Sequence, residues 1–425
     1  MSQETAINIK TVSVIGLGYI GLPTATFFAE YGKKVIGIDI DESLVKTIND
    51  GQIKIAEPML DKMVHRVVKQ GYLKATLHPE NADAFIIAVP TPLNDNHEPD
   101  LSCVEAAILS IAPVLKKGNL IILESTLPVG GTEWIADRLA FARPDLSFPQ
   151  QNGEDSDICI AYCPERVLPG HIMRELIEND RIIGGMTNKC SKVAHSLYKT
   201  FVKGECFSTS VRTAEMCKLT ENSFRDVNIA FANELSIICD KLNINVFELI
   251  KLTNRHPRVN ILQPGPGVGG HCIAVDPWFI VNKTPKEARL VHLARQINDE
   301  KPYWVIEKVK AAIKTFMDQN LSASPVVACF GLAFKPDIDD IRESPAITIT
   351  EYLANNCDCE VIAVEPNISN IPAVLCDTNI KFLSCEEAIA QADIIVLLVD
   401  HTIFKQIDKD LFKNKVVVDT KGIWK

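Results

Sequence analysis

Hydrophobic positions fall into two rhythms along the chain. In the first part, short apolar and β-branched runs alternate with helical patterns and polar turns. Thr11–Ile15, Lys34–Ile40, Ala84–Val89, Asn119–Leu123 and Ile158–Tyr162 read as strands. Runs without polar alternation belong to sheets covered on both faces, so a parallel sheet flanked by helices is expected. From Arg212 to about Asn243 the period lengthens to that of a helix. This stretch holds neither proline nor glycine, and Leu219, Phe224, Ile229, Phe231, Leu235 and Ile238 supply its apolar surface. Lys286 to about Thr315 is a second long helical stretch, so residues 209–318 read as an all-helical middle domain. The strand rhythm then returns in Val326–Phe330, Glu360–Val364, Ala392–Val399 and Lys415–Asp419. That internal repeat predicts a second parallel-sheet domain over 319–425.

The first strand runs into Gly16-Leu-Gly18-Tyr-Ile-Gly21, a helical pattern follows from Pro23 to Tyr31, and the second strand ends in Asp39. Strand, glycine turn, helix, strand and terminal acid occur in the order of a dinucleotide-binding unit. The glycines admit a pyrophosphate to the helix N-terminus, where orphan amides favour negative charge. Asp39 is placed for the ribose hydroxyls and would repel a 2′-phosphate, so NAD is expected over NADP. The expected fold class is therefore α/β, with Rossmann-like domains at 1–208 and 319–425 joined by the helical domain and its long helix. Thr91 and Thr126 follow strand ends on the ligand side of such a sheet; plain turn and cap roles suit them equally. The second domain's first turn, Gly331-Leu-Ala-Phe-Lys335, lacks the glycine fingerprint, and Lys335, Arg342 and Lys421 form a basic set suited to a phosphorylated ligand.

Pro264–Pro277, PGPGVGGHCIAVDP, holds four glycines and three prolines around Cys272 and Asp276. Such a stretch reads as a tight loop, in which Cys272 is either a nucleophile held beside a ligand or one more small buried hydrophobe. On the long helix, Lys218, Asn222 and Arg225 share one face, aimed at a cleft or merely solvated. Glu165 and Arg166, between two prolines after a strand, suit a site acid and an anion contact, or a local ion pair. Asn254-Arg-His256-Pro-Arg258 is a basic turn.

Composition narrows the class. At 47% hydrophobic and 23% charged residues the chain is an ordinary globular one, and a net charge of -10 without any basic run argues against nucleic acid as a partner. No apolar run is long enough to span a bilayer, and the N-terminus lacks an apolar signal region, so a cytoplasmic protein is expected. The 13 cysteines are scattered and show no paired zinc spacing, so reduced thiols and no metal site are expected.

GLGYIGLP, VPTP, ESTLPVGGT, YCPERVLPG, AEMCKLTENSFRD, PGPGVGGHCIAVDPW and GLAFKPDIDDIRESPA stand in the order seen in the UDP-glucose/GDP-mannose dehydrogenase family, which the whole chain resembles. CPERVLPG, NRHPRVN and GGHCIAVDPWFIV are similar to members acting on UDP-N-acetyl-D-mannosamine, and Arg166 and His271 stand where UDP-glucose enzymes carry other residues. The resemblance implies oxidation of a sugar C6 alcohol to the uronate with two NAD and one water, feeding a cell-surface polysaccharide. UDP-N-acetylglucosamine and UDP-glucose are the alternative substrates. It implies Cys272 as nucleophile, Lys218 and Glu165 as acid/base groups, and Asn222 and Asp276 as support for water or an oxyanion. It places NAD contacts at Tyr19, Ile20, Asp39, Thr91, Thr126 and Arg342, beside Gly16, Gly18 and Gly21. UDP-sugar contacts would come from Arg166, Val167, Lys218, Asn222, Arg225, His256, Arg258, Gly269, Phe334, Lys335 and Lys421. It also implies a homodimer through the long helix, with Arg258 reaching the neighbouring subunit's site. A two-electron 3-hydroxyacid-type dehydrogenase would need neither Cys272 nor the repeat, and a silent sugar-nucleotide binder would not need the reactive set.

Overall fold

The computed structural model describes residues 9–55, 57–168, 170–320 and 323–424. Residues 1–221 and 222–425 form two compact units. In the first, the strands are β1 (Thr11–Ile15), β2 (Lys34–Ile38), β3 (Leu73–Thr76), β4 (Ala84–Ile87), β5 (Leu120–Leu123), β6 (Cys159–Tyr162), β7 (Arg181–Gly185) and β8 (Cys206–Ser210). Its helices are α1 (Gly21–Glu30), α2 (Glu42–Asn49), α3 (Leu60–Lys69), α4 (Ser102–Ile111), α5 (Gly131–Ala142), α6 (Pro149–Asn152), α7 (Ile172–Glu178) and α8 (Asn188–Tyr198). The 31-residue α9 (Val211–Lys241) begins in this unit and ends in the next.

The sheet order is β3-β2-β1-β4-β5-β6-β7-β8. Its first six strands follow the doubly wound order, in which a ligand crevice opens where the strand order reverses beside β1. The expectation of a parallel sheet needs one amendment, because β6 and β7 pair antiparallel. Period-2 alternation sends Val12 and Val14 into the core on one face and Ile15 into the core on the other. Such burial on both faces is why these strands read as unbroken apolar runs. Gly130, which precedes α5, supplies no side-chain cap, and Glu215 of α9 takes its place by accepting from the amides of Gly130 and Thr132, each at 2.8 Å.

The second unit holds α10 (Val246–Thr253), α11 (Asp276–Lys283), α12 (Arg289–Gln319), α13 (Pro345–Asn356) and α14 (Cys385–Gln391). Its strands β9 (Val326–Phe330), β10 (Glu360–Val364), β11 (Lys381–Phe382), β12 (Ile394–Leu397) and β13 (Val416–Asp419) form a parallel sheet in the order β11-β10-β9-β12-β13. The repeat expected from sequence is thus a repeat of topology. The C-terminal half of α9 and the start of α12 are joined by a buried polar run. Arg295 Nη1 donates to Asp226 Oδ1 at 2.6 Å, Asn298 Nδ2 to the same oxygen at 2.8 Å, and Asn233 Nδ2 to Asn298 Oδ1 at 2.9 Å. Burial pushes the Asp226 carboxyl up to about 6 against the pull of Arg295. Among the described residues no helix is long and apolar enough to cross a membrane.

Candidate functional site

In the first unit, the glycine turn closes on itself. Gly16 has a φ of +90°, which a residue with a Cβ adopts only under strain, and a Cβ on Gly21 would stand 1.8 Å from the Gly16 carbonyl oxygen. A Cβ on Gly18 would meet nothing within 4 Å, so the turn is open there. No side chain caps α1 and no acid lies in its first turn; the Leu22 amide donates to the Gly18 carbonyl at 3.1 Å and Pro23 has none, so an anion would meet the helix end at the turn that precedes them. Asp39 ties this turn to the end of β2, its Oδ2 accepting from the Leu17 amide at 2.8 Å. Tyr19 is 40% exposed, Ile20 is half-buried, and Thr91 and Thr126 are half-buried beyond β4 and β5. An open turn, uncapped amides and a strand-end acid fit the pyrophosphate and ribose of NAD.

The same unit holds Glu165, Arg166, Val167 and Lys218. Glu165 is 7% exposed, and its two oxygens are both engaged: Oε1 accepts from the Arg166 amide at 2.7 Å and Oε2 from Arg181 Nη2 at 2.9 Å. Lys218 Nζ donates to the Glu165 carbonyl at 2.8 Å, so α9 and the segment after β6 are fastened together at these two residues. Arg166 forks onto Glu221, with Nε 3.0 Å and Nη2 2.7 Å from its carboxylate oxygens. Val167 packs at the margin of the core. Of the two readings of Glu165 and Arg166, an ion pair with one another is excluded, since each side chain has a different charged partner.

In the second unit, the stretch from Pro264 is a loop as far as Val275. Asp276 and Pro277 are already the first residues of α11, proline at a first turn being no obstacle. The loop is fixed at its start by the Gly265 amide donating to Asn233 Oδ1 at 2.9 Å, the end of the α9–α12 polar run. Further on, the Gly270 amide donates to the Arg342 carbonyl at 3.2 Å. A Cβ on Gly269 would lie 2.4 Å from the Glu343 carbonyl, and one on Gly270, at φ +81°, 2.8 Å from the Phe334 ring. The glycines therefore let the cysteine loop lie flat on the segment after β9. Cys272 is exposed, unlike Cys159, Cys163, Cys190, Cys239 and Cys329, which removes the buried-hydrophobe reading.

Asn222 and Asp276 are both buried, and Asn222 Nδ2 donates to Asp276 Oδ2 at 2.5 Å while its Oδ1 accepts from Arg225. Burial holds the Lys335 ammonium below its ordinary value, while Asp340 and the charge of a Cys272 thiolate pull it back up. The expected basic set is less open than its sequence implied. Arg342 Nε and Nη2 donate to Asp340 at 2.8 and 2.6 Å, and Lys421 Nζ lies 3.2 Å from Asp400. His256 and Arg258 are exposed on their turn.

Three groups were not singled out from sequence. Glu124, Arg181 and Tyr198 are buried with Glu165, and they come from the end of β5, from β7 and from α8, so no local spacing announced them. In the second domain, Glu365 occupies the position that Asp39 holds in the first, but its Oε2 accepts from both Leu332 and Ala333 amides, at 2.8 and 3.0 Å, and meets His401 Nε2 at 3.0 Å. Glu365 thus bonds two amides of its turn where Asp39 bonds one, and it carries a histidine besides.

Family models for the UDP-glucose/GDP-mannose dehydrogenase family match in three parts: the NAD binding domain over 10–202, the central domain over 212–300 and the UDP binding domain over 328–425. The chain is 61% identical over 421 residues to a UDP-N-acetyl-D-mannosamine dehydrogenase of Yersinia pestis, covering 99% of this chain and 100% of that one. It is 59% identical over 424 residues to an NDP-N-acetyl-D-galactosaminuronic acid dehydrogenase of Ralstonia nicotianae, covering 100% and 98%. A solved UDP-D-ManNAc dehydrogenase of Pyrococcus horikoshii is 38% identical and superimposes with a TM-score of 0.86, covering 97% of this chain and 96% of that one.

Proposed function

The chain belongs to the UDP-glucose/GDP-mannose dehydrogenase family, and from that premise we propose that this NAD-dependent oxidoreductase converts UDP-N-acetyl-D-mannosamine to its uronate in two oxidations at C6. The observation that carries this reading is Cys272: an exposed thiol on a glycine loop fastened at Gly265 and at Gly270. NAD, when bound at the glycine turn, supplies the hydride acceptor for each oxidation. After the first, the Cys272 thiolate adds to the C6 aldehyde and gives a thiohemiacetal, whose C–H can be oxidised to a thioester. Water then attacks the thioester carbonyl, the C–S bond breaks and the thiolate leaves with the uronate formed. A thiolate suits both roles, being a good nucleophile and a good leaving group.

Lys218 is proposed to stabilise the developing oxyanion, and Glu165 to take the proton from the attacking water. Asp276 accepts from Asn222 Nδ2, and the pair is proposed to support the attacking water or the oxyanion. Lys335 and Lys421 are proposed for the diphosphate, and Arg166 for the acetamido sugar. The product would enter a cell-surface polysaccharide. The 59% identity to the Ralstonia protein supports a galacto-configured 2-acetamido sugar as the second reading.

A homodimer through α9 is proposed from Phe224, Phe231 and Ile238, which recur at heptad spacing and are 68%, 49% and 45% exposed. Sedimentation reads this directly; a monomer at micromolar concentration refutes it. The activity is tested by incubating the enzyme with NAD and each sugar nucleotide in turn. Two NADH per uronate are expected, and Cys272→Ala should form none. One NADH per product, or uronate from that variant, overturns the scheme.

A further inference from the structure

Beside β5, β6 and β7 of the first unit, Glu165 lies in a cluster whose other members, Arg181, Glu124 and Tyr198, the proposed chemistry does not use. Arg181, 5% exposed, stands between two buried carboxylates. Its Nη2 is 2.9 Å from Glu165 Oε2 and its Nη1 is 3.9 Å from Glu124 Oε1. The guanidinium carbon lies 4.5 Å from the centre of the Tyr198 ring, and among the described residues Nε and Nη1 have no hydrogen-bond partner. Glu124 in turn accepts from the Tyr198 hydroxyl at 2.6 Å and from Thr24 Oγ1 of α1 at 3.4 Å.

Two carboxylates facing one arginine out of water cannot both be ionised without cost, because one positive charge neutralises only one of them. The distances show which one it serves: the short, charge-assisted bond is to Glu165, and the contact with Glu124 is longer by an ångström. Among the described residues two donor groups of Arg181 have no partner, so the guanidinium is not held by a full set of bonds.

We propose that Arg181 is a positioning residue for Glu165, and that Glu124, as the second acid on the same guanidinium, sets how firmly Arg181 holds it. With Glu124 neutral, the whole charge of Arg181 belongs to Glu165, which is held with its Oε1 on the Arg166 amide. With Glu124 ionised, the guanidinium is shared, and its hold on the Glu165 carboxylate is loosened. Burial, helped by repulsion from Glu165, pushes Glu124 up to about 7 against Arg181, Tyr198 and Thr24. The change therefore falls near neutral pH. The other titratable groups facing Glu124 are silent there, since burial drives Cys163 and Tyr198 well above their ordinary values. Thr24 lies on the helix that follows the glycine turn, so the cofactor-binding element touches the same switch.

This inference rests on the reading of Glu165 as the acid/base group, and the test separates the two. NADH formation from UDP-N-acetyl-D-mannosamine is followed from pH 5.5 to 9 for the parent, Glu124→Gln, Arg181→Lys and Glu165→Gln. The parent's kcat is expected to show an inflection near pH 7 that Glu124→Gln lacks, with KM for NAD changed by no more than about twofold. Arg181→Lys, which keeps the charge but loses the fork, should lower kcat by about tenfold or more. Glu124→Gln is close to isosteric and still accepts from Tyr198, so its folding is secure and its pH profile is the deciding measurement. A Glu124→Gln profile that superimposes on the parent's overturns the inference. A Glu165→Gln enzyme of parental kcat overturns the underlying reading instead.

Discussion

Gly18→Ala and Gly21→Ala differ by one methyl group each, three residues apart, and should fail in opposite ways. Gly18 is exposed, has no positive φ, and offers its added Cβ no protein atom within 4 Å. Folding of the cofactor-free protein should therefore change by no more than about 0.5 kcal/mol, or improve slightly as the unfolded chain loses freedom. On the proposed placement, the methyl takes the space through which a pyrophosphate would reach the turn. Losing one charged hydrogen bond there costs about 1.5–3 kcal/mol, or roughly 10- to 150-fold in the Kd for NADH. At Gly21 the methyl would stand 1.8 Å from the Gly16 oxygen and 2.9 Å from its carbonyl carbon, both backbone atoms. Neither can swing aside, so the turn or α1 must shift, and overpacking of this kind costs about 1–3 kcal/mol or more. Thermal unfolding without cofactor reads the effect on folding, and calorimetric titration with NADH the effect on binding. A Gly18→Ala protein that binds NADH as the parent does refutes the placement of the pyrophosphate, and a Gly21→Ala protein of parental stability refutes the packing argument.

Two further predictions concern buried charge. Because the folded value of Glu124, about 7, exceeds its ordinary 4.5, the folded chain binds that proton more tightly than the unfolded chain does. The resulting stability is present below about 4.5 and is lost as pH rises to about 7, at most about 3 kcal/mol. Glu124→Gln should match the parent near pH 4.5 and exceed it at pH 8 in denaturant midpoint; a difference independent of pH refutes this. Arg295→Met leaves Asp226 buried without its cation and should cost about 3–5 kcal/mol of unfolding free energy, whereas Asp226→Asn with Arg295→Met together should recover part of it. An Arg295→Met protein of parental denaturant midpoint contradicts the pairing.

The strands of both sheets, the glycine turn and the long helix were legible because each depends on neighbours in sequence. β1, β9 and β10 begin and end where their apolar runs do, and only strands with weaker patterns, such as β3, β7 and β8, went unread. Cys272 stood out through its glycines. That it is exposed, and that Gly269 and Gly270 exist to lay its loop against Phe334 and Glu343, needed the packing. The basic set of Lys335, Arg342 and Lys421 looked uniform in sequence, yet Asp340 and Asp400 claim two of the three.

By itself, then, the sequence determined the elements, their order, the dinucleotide signature and the repeat of one domain's topology in the other, since periodicity and turn chemistry are local. Only the tertiary structure decided which charges share a partner. Glu124, Glu165 and Arg181 are separated by 16 to 57 positions and meet because β5, β6 and β7 are adjacent in one sheet. Asp226 and Arg295 meet across two helices. The worth of a charge depends on the water around it and on the groups that replace that water, and neither is written in the order of the residues.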